Sequence, residues 1–240
     1  ITIEGLECSG IVVDDGNGAC LRQNRGDVTL LGVHFHHAQM AVLSGHEGGH
    51  FRIHDSYFHD SGADGRGSLG HNIYINSGQL DFVRSWSLTA RNAGHEIKSR
   101  AESTRLEDCL VASVNARDSR LVDVPEGGVL EITGCVLGKG PRSENQDMIG
   151  YGLEIGERSP PHPVNVIRLA QNTFYSDRPQ GARLIDARHA QNIEGWQNVA
   201  VGLRGVSEQL ARNHKDRNSA GLPPYPALPG LHISLTVPTL

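Results

Sequence analysis

The hexapeptide LEDCLV at 106–111 is followed 26 residues later by ITGCVL at 132–137. Both begin with an apolar residue, continue with two variable residues, and place a small or apolar residue fourth and an apolar residue sixth. The same pattern occurs at LLGVHF (30–35), IHDSYF (53–58), VRSWSL (83–88) and LAQNTF (169–174), with IEGLEC (3–8) and, more loosely, WQNVAV (196–201) at the two ends. The chain therefore contains an internal repeat.

The spacing of this repeat indicates a solenoid. The sixth residues of successive hexapeptides are 27, 23, 30, 23, 26, 37 and 27 residues apart. Spacings that cluster near the low twenties and otherwise are only longer are typical of stacked coils with inserted loops. Each coil buries its apolar edge against the next coil. We predict an all-β chain with a single right-handed parallel β-helix of about eight coils over 1–203. An ordinary β-sandwich is disfavoured because its strands recur every 8–12 residues without a longer period.

The fourth hexapeptide positions form a row of their own. Like residues at equivalent positions predict a side-chain ladder inside the solenoid, with Cys109 and Cys135 as adjacent, buried free thiols. The expected ladder is Val33, Ser56, Trp86, Cys109, Cys135 and Asn172.

The repeat ends after about residue 203. We expect a short helix in SEQLARNHKDRN (207–218), followed by the Pro-rich stretch SAGLPPYPALPGLHISLTVPTL (219–240). The segment 204–240 is interpreted as an irregular C-terminal tail that packs back along the solenoid or covers its open end, and not as a separate domain.

Composition excludes several classes of protein. The 240-residue chain has a net charge of −5 and a pI of about 6.2, whereas nucleic-acid-binding proteins usually have a basic surplus. No apolar run reaches the roughly 18–20 residues that a membrane-spanning helix needs. We therefore expect neither a nucleic-acid partner nor a membrane partner. The four cysteines contain no C-x-x-C pair, which makes a cysteine zinc site an unfavoured interpretation.

A second set of segments follows the hexapeptides: HNIYIN (71–76), HEIKSR (95–100), SRLVDV (119–124), YGLEIG (151–156) and ARLIDA (182–187). Each has an apolar third residue, which we expect to point into the core, so that the alternate residues point outward. The expected inward residues are Ile73, Ile97, Leu121, Leu153 and Leu184. The expected outward residues are Asn72, Tyr74, Asn76, Glu96, Lys98, Arg100, Arg120, Val122, Val124 and Glu154, with Tyr74, Lys98, Val122 and Glu154 in one row.

This outward cluster is flanked by the two longest insertions, SGADGRGSLG (61–70) and KGPRSENQDMIG (139–150). Long loops often form the walls of a groove and contain functional residues. A functional groove is the preferred interpretation, and a solvated sheet face with ordinary surface charges is the alternative.

The segment EIKS (96–99) resembles the Glu-Ile…Lys-Ser segment of the chondroitinase B-like and alginate lyases of the pectate-lyase-like superfamily. The resemblance implies a polysaccharide lyase in which Lys98 removes the C5 proton of a uronic acid and Arg120, one coil further on, acts as acid or charge stabiliser. It also implies that calcium is a possible cofactor, that the partner is an acidic polysaccharide, and that the protein is secreted to the periplasm or the extracellular space.

The residue types suit this chemistry, since β-elimination needs a base and positive charge that stabilises the developing enolate. Tyr74 is an alternative acid, and His71 and His95 are alternative bases or hydrogen-bonding residues at turns. The predicted catalytic residues are Lys98, Arg120, Tyr74 and His95, and the predicted substrate-binding residues are His71, Asn72, Glu96, Arg100 and Glu154.

Other functions remain open. A glycoside hydrolase would use two carboxylates, for which Glu96 and Glu154 are the outward candidates, with Asp123 and Asp186 on inward positions. A uronate C5-epimerase would use the same proton abstraction as a lyase. A non-catalytic carbohydrate-binding, adhesin or tailspike-like β-helix is disfavoured, because aromatic residues are only 5% of the chain and both Trp86 and Trp196 fall in apparent core hexapeptides.

A metal cluster is a weaker prediction. His46 and His50, in SGHEGGH, have His34, His36 and His37 nearby in the sequence. The expected outward positions of His34 and His36, on either side of Phe35, are compatible with it.

Overall fold

The computed structural model describes residues 1–63 and 70–229. These residues form 25 strands and no helix, and accordingly none of them provides a helix that could cross a membrane. The strands are β1 (Thr2–Glu4), β2 (Glu7–Ser9), β3 (Ala19–Gln23), β4 (Val28–Leu31), β5 (His34–His36), β6 (Met40–Ser44), β7 (His50–His54), β8 (Tyr57–His59), β9 (Ile73–Ile75), β10 (Gln79–Val83), β11 (Trp86–Leu88), β12 (Ile97–Ser99), β13 (Ser103–Glu107), β14 (Leu110–Ala112), β15 (Val122–Val124), β16 (Val129–Thr133), β17 (Val136–Lys139), β18 (Asp147–Tyr151), β19 (Val166–Ala170), β20 (Thr173–Ser176), β21 (Ala182–Ala187), β22 (Asn192–Trp196), β23 (Val199–Val201), β24 (Leu203–Arg204) and β25 (Arg212–His214).

The strands assemble into three parallel sheets, and each coil contributes one strand to each sheet. The first sheet has the order β1-β4-β7-β10-β13-β16-β19-β22, the second β2-β5-β8-β11-β14-β17-β20-β23-β25, and the third β24-β21-β18-β15-β12-β9-β6-β3. Eight strands in the first and third sheets and nine in the second confirm the predicted parallel β-helix of about eight coils.

The hexapeptide is the corner between the first two sheets. One residue with positive φ turns the chain sharply at this corner in all eight coils. It is the third residue in six of the quoted hexapeptides, as in Gly5, Asp108 and Gln171. In the coils at 83–88 and 196–201 it is the second residue, Arg84 and Gln197, so the register of these two hexapeptides shifts by one residue. The residues on either side of the corner point inward, where side chains such as Phe35 and Phe58 are fully buried and pack edge to face. The repeat in the sequence is therefore one corner, stacked eight times.

The predicted ladder is present, with one correction. Ser85, and not Trp86, aligns with Cys109, because the hexapeptide of that coil is FVRSWS (82–87). Side chains of the ladder accept backbone N–H groups of the preceding coil: Ser56 Oγ from Val33 N at 3.1 Å, Ser85 Oγ from Ser56 N at 3.0 Å, Asn172 Oδ1 from Cys135 N at 2.9 Å and Asn198 Oδ1 from Asn172 N at 2.9 Å.

The cysteines form two different pairs. Cys109 and Cys135 are buried free thiols on adjacent rungs, as predicted, and Cys135 Sγ accepts the backbone N–H of Cys109 at 3.2 Å. Cys8 and Cys20 form a disulfide that links β2 to β3 in the first coil, which the cysteine spacing did not predict.

The end of the chain differs from the expectation in one respect. The helix expected at 207–218 is absent, since this segment forms a turn and then β25, which extends the second sheet beyond residue 203. The described residues after β25, 215–229, pack back on the solenoid, where Ala220, Leu222 and Leu228 contact the outer apolar surface of the second sheet. Residues 230–240 of the expected tail lie outside the described residues.

Candidate functional site

The outward face of the third sheet contains the predicted site, but in a different register. The pairing places Tyr74, Lys98, Asp123, Gly150 and Asp186 in one row across β9, β12, β15, β18 and β21. Val122 and Val124 are fully buried, which corrects the expectation that they point outward and that Val122 lies beside Lys98. The residue beside Lys98 is the carboxylate Asp123.

Lys98 is surrounded by carboxylates. Its Nζ lies 2.7 Å from Glu154 Oε1 and 3.4 Å from Asp123 Oδ2, and its side chain is 12% exposed. Lys98 therefore lies between two carboxylates and forms an ion pair with each.

Glu154 joins the site from a turn. Only Tyr151 of the segment 151–156 belongs to a strand, β18, and residues 152–156 form a turn, so Glu154 has no place in the strand row. Its carboxylate nevertheless bridges two cations. One oxygen binds Lys98 and the other accepts Arg100 Nη2. Burial acts to raise the pKa of Glu154, but the hydrogen bonds from Lys98 and Arg100 overcome it and lower this pKa to about 2. A carboxylate that remains 44% exposed is thus held by two much less exposed cations.

Arg100 links three groups of the site. Its Nε donates to Tyr74 Oη at 3.0 Å, and its Nη1 lies 3.1 Å from Glu126 Oε1. Burial works against its charge, but the hydrogen bonds to Tyr74 and Glu154 raise the pKa of Arg100 above its ordinary value. The predicted residues Tyr74, Lys98, Arg100 and Glu154 are therefore in mutual contact.

Arg120 reaches the same cluster through Asp123. Its Nη1 lies 3.3 Å from Asp123 Oδ1, so Arg120 and Lys98 share one carboxylate. Burial raises the pKa of Asp123, and both cations oppose that shift. Arg120 lies over Gly150, where a Cβ atom would stand 2.5 Å from Arg120 Cδ, so the glycine makes room for the guanidinium.

The two histidines are buried behind this surface. Their rings stack at 5.0 Å, His71 Nδ1 accepts the backbone N–H of His95 at 3.0 Å, and His95 Nδ1 accepts that of Arg120 at 3.0 Å. Burial, with Lys98 and Arg120 nearby, lowers the pKa of His95 to about 3, and burial also lowers the pKa of His71 well below its usual value. In this structure both rings are neutral hydrogen-bond acceptors for the backbone.

Asn72 and Glu96 correct the prediction more strongly. Both are fully buried, whereas outward positions were expected. Asn72 Nδ2 donates to Glu96 Oε2 at 2.7 Å, and Glu96 Oε1 accepts Ala90 N at 2.8 Å, while burial raises the pKa of Glu96 well above its usual value. Neither side chain reaches the surface to bind a substrate, and the carboxylate pair of Glu96 and Glu154 suggested for a hydrolase is not formed.

The expected walls of the groove also need revision. Residues 64–69 of the first insertion lie outside the described residues. The second insertion is shorter than expected, because Lys139 ends β17 and Asp147 begins β18. A longer connection, 152–165, follows β18 and carries Glu154, and His162 Nε2 in this connection lies 3.2 Å from the backbone oxygen of Arg100. This connection borders the Lys98 cluster on the side of the first sheet.

Asp123 lies on the outward face of the sheet, whereas an inward position was expected, and Glu126 was not predicted from the sequence. An alternative signal was available for Asp123, because a charged residue between Val122 and Val124 is typical of an outward position between two inward ones. Glu126 lies in a turn, where alternation gives no direction.

The residues around Lys98 do not fit a calcium ion. Calcium needs several free oxygen ligands, but Asp123 binds Lys98 and Arg120, Glu126 binds Arg100, and Glu154 binds Lys98 and Arg100. Within 1–63 and 70–229, the groups of three or more clustered metal-ligand side chains lie on the second sheet. We therefore derive no step that uses calcium.

Comparison with known proteins gives no assignment: no protein-family model, no curated protein and no solved structure matches this chain.

Proposed function

We propose that the third-sheet face binds an acidic glycan and cleaves it by β-elimination, as a polysaccharide lyase. One observation supports this most directly: Lys98 and Arg100, both fixed on or beside β12, converge on a single carboxylate. That carboxylate belongs to Glu154, on an exposed turn that can move away more easily than a strand. Glu154 thus occupies the position that the carboxylate of a uronic acid would take.

The surrounding groups suit the reaction. Proton abstraction next to a carboxylate creates an enolate, whose negative charge Lys98, Arg100 and Arg120 would stabilise. Two groups are candidates for the base: Lys98 after loss of its proton, and Tyr74, whose Oη accepts a hydrogen bond from Arg100 Nε. The group that does not serve as base is then available to protonate the leaving oxygen.

A secreted location is part of this proposal. Disulfides persist mainly in oxidising compartments, and the Cys8–Cys20 bond supports the periplasm or the extracellular space over a reducing one.

A non-catalytic carbohydrate-binding module is the second candidate. It gains support because Trp196 is exposed and Trp86 is only partly buried, so neither is the core residue that the sequence analysis expected. Exposed aromatic rings are common platforms for sugars.

The first experiment follows the ultraviolet absorbance of an unsaturated uronate while the protein is incubated with a panel of acidic polysaccharides. Wild type is compared with Lys98→Ala, Arg100→Ala, Tyr74→Phe and Glu154→Gln. We expect product with wild type and loss of product with Lys98→Ala and Arg100→Ala. Glu154→Gln should bind substrate more tightly, by about threefold to tenfold, because it removes an internal competitor worth roughly 1 kcal/mol.

The matched control is Glu131→Gln, which removes the carboxylate of the Glu131–Arg168 ion pair on the first sheet and should leave binding unchanged. Deuterium incorporation from solvent without chain cleavage would contradict the lyase activity and support an epimerase. Glycan binding without proton exchange would support the binding module. Equal affinity for acidic and neutral glycans would refute the carboxylate site itself.

A further inference from the structure

A histidine-rich cluster on the second sheet lies apart from the third-sheet site. It occupies the outward positions of the first three coils, where Glu7, His34 and Tyr57 form one row and Ser9, His36 and His59 form the next. His37 and Asp60 follow β5 and β8 at corners with positive φ. His46 and His50, expected in such a cluster, do not belong to these rows, and His50 instead binds Asp81 at 2.6 Å.

Three side chains of the cluster point at one another. His36 Nε2 lies 3.0 Å and His34 Nδ1 lies 3.9 Å from Glu7 Oε1, and the three ligand atoms are all within 4.8 Å of one another. Metal–ligand bonds of about 2.0–2.1 Å in a tetrahedral site place adjacent ligand atoms roughly 3.3 Å apart. The two separations from Glu7 Oε1, 3.0 and 3.9 Å, lie on either side of that value, so the spacing of these atoms is close to what one metal ion requires.

The outer nitrogens of both histidines are also held. His34 Nε2 lies 2.8 Å from His59 Nε2, His59 Nδ1 lies 2.7 Å from Asp60 Oδ2, and His36 Nδ1 lies 2.7 Å from His37 Nδ1. Histidines that bind metals almost always have their second nitrogen fixed by a hydrogen-bonding partner in this way.

The hydrogen bonds determine where the protons lie. An ionised Asp60 can only accept, so His59 donates from Nδ1 and its Nε2 is an acceptor. His34 then donates from Nε2, which leaves the lone pair of its Nδ1 directed at the Glu7 carboxylate with no proton between them. Two acceptors that face each other in this manner are suited to a cation.

We propose that Glu7, His34 and His36 bind one divalent transition-metal ion of the zinc class, with His37, His59 and Asp60 as positioning residues. Imidazole nitrogens with one carboxylate select such ions over calcium or magnesium, which prefer oxygen ligands. Three protein ligands leave a fourth position for water or another ligand. The partial exposure of the three side chains, 38% for Glu7, 18% for His34 and 16% for His36, gives that position access to solvent.

The site would link β2 to β5 beside the Cys8–Cys20 disulfide, whose Cys8 lies on the same strand as Glu7. His36 Nε2 donates to Glu7 in the structure, so binding of a metal at this nitrogen requires the tautomer of His36 that carries its proton on Nδ1 and donates it to His37.

The test titrates chelator-treated, full-length protein with Zn²⁺, Co²⁺ and Ca²⁺ by isothermal calorimetry, with the visible spectrum of Co²⁺ as a report of coordination geometry. We expect one Zn²⁺ per chain, a tetrahedral Co²⁺ spectrum and no binding of Ca²⁺. Glu7→Gln and His36→Ala should lower the Zn²⁺ affinity at least about 100-fold, and Asp60→Asn about 10- to 100-fold.

Two comparisons keep this test decisive. The control variant, His46→Gln with His189→Asn, removes two exposed histidines elsewhere and should bind Zn²⁺ as wild type does. Glu7 is exposed enough that Glu7→Gln should fold, which circular dichroism would verify. Zn²⁺ binding that Glu7→Gln and His36→Ala leave intact, or that depends more on His37, His59 and Asp60 than on Glu7, would overturn the assignment.

Discussion

The backbone around Lys98 depends on two histidines that accept hydrogen bonds only while they are neutral. His95 Nδ1 accepts the backbone N–H of Arg120 and is nearly excluded from water, with the cations Lys98 and Arg120 close to the ring. A proton on Nδ1 would break the hydrogen bond to Arg120 and place a further positive charge beside Lys98 and Arg120. The histidine row is therefore both a support for the candidate site and a source of acid sensitivity.

We predict that His95 makes the protein less stable in mild acid. The folded-state pKa is lowered from 6.5 to about 3, so below about pH 6.5 the unfolded chain binds a proton that the folded chain does not. The contribution of neutral His95 to the unfolding free energy is fully present above pH 6.5 and is lost as the pH falls towards 3. Between about pH 7 and about pH 5, wild type should lose about 2 kcal/mol of unfolding free energy through this group.

Urea unfolding at the two pH values measures this loss directly. In His95→Gln the amide oxygen can still accept a hydrogen bond, but the group does not titrate, so the pH dependence should shrink by about that amount. The exposed His46→Gln is the control and should keep the wild-type dependence. An unchanged dependence in His95→Gln would show that the ring is not the titrating group.

At the scale of the strand and the corner, the repeat was readable because one backbone geometry recurs. Six of the eight quoted hexapeptides place a left-handed residue third and a ladder residue fourth, and apolar residues flank them on the inside. This pattern predicts the stacking of coils and the neighbouring positions of Cys109 and Cys135. It failed by one residue in two coils. At 83–88, Trp86 and Ser85 both fit the loose rule for the fourth position, and at 196–201 the ladder residue is Asn198, the third of the hexapeptide.

The details of the candidate site were less predictable because its strands are short. β9 and β12 contain three residues each, so Asn72 and Glu96 precede the strands, where side chains no longer alternate between the two faces. The six-residue segments assumed in the sequence analysis extended that alternation too far. Contacts made from turns, such as those of Glu154 and Glu126 with Arg100, depend on loop conformation and have no periodic signal in the sequence.

The ladder yields a prediction at this scale. Asn172 Oδ1 accepts Cys135 N, and its Nδ2 donates to Ile132 O at 2.7 Å, in a fully buried position. Asn172→Ala would leave a buried N–H and a buried C=O unpaired, each at a cost of about 1–3 kcal/mol. We expect the unfolding free energy to fall by about 2–4 kcal/mol in chemical denaturation.

Asn192→Ala provides the matched control on the neighbouring coil. Asn192 is exposed and its side chain binds only Glu194 among the described residues, so its removal should change stability by less than about 0.5 kcal/mol. A similar loss in both variants would mean that the ladder hydrogen bonds add nothing beyond ordinary polar contacts.

For the molecule as a whole, the outer face of the second sheet changes character along its length. The first coils present histidines, while the later coils present the apolar side chains of Leu88, Leu110, Val136 and Val201. An apolar patch of this kind is unfavourable in water unless it is covered. The C-terminal segment covers it with Ala220, Leu222 and Leu228, so the tail belongs to the fold of the solenoid.

Arg217 holds this segment in place. Its guanidinium forms a two-point ion pair with Asp177, 2.7 Å from Nε to Oδ1, and lies 4.4 Å from the centre of the Tyr175 ring. Its Nη1 donates to Pro223 O at 2.7 Å and to Ala227 O at 3.1 Å, so one side chain ties the solenoid to the tail and the tail to itself. The pair is largely buried, and removal of one partner from such a pair is strongly destabilising.

We therefore predict that Arg217→Ala releases the tail while the coils remain folded. The partner Asp177 and the apolar patch would become exposed together, at a cost of about 2–4 kcal/mol to tail docking. Hydrogen exchange should show faster exchange at 215–229 and little change in β9 and β12, and a dye that binds apolar surface should gain fluorescence. The control is Arg105→Ala, which removes an exposed guanidinium paired with Glu107 on its own strand. It should change neither the exchange of 215–229 nor the fluorescence of the dye.

If Arg217→Ala leaves the exchange of 215–229 unchanged, burial of Leu222 and Leu228 alone holds the tail. If exchange rises in every coil, the tail is required for the stability of the solenoid itself, because the exposed patch on the second sheet then destabilises all the strands that form it.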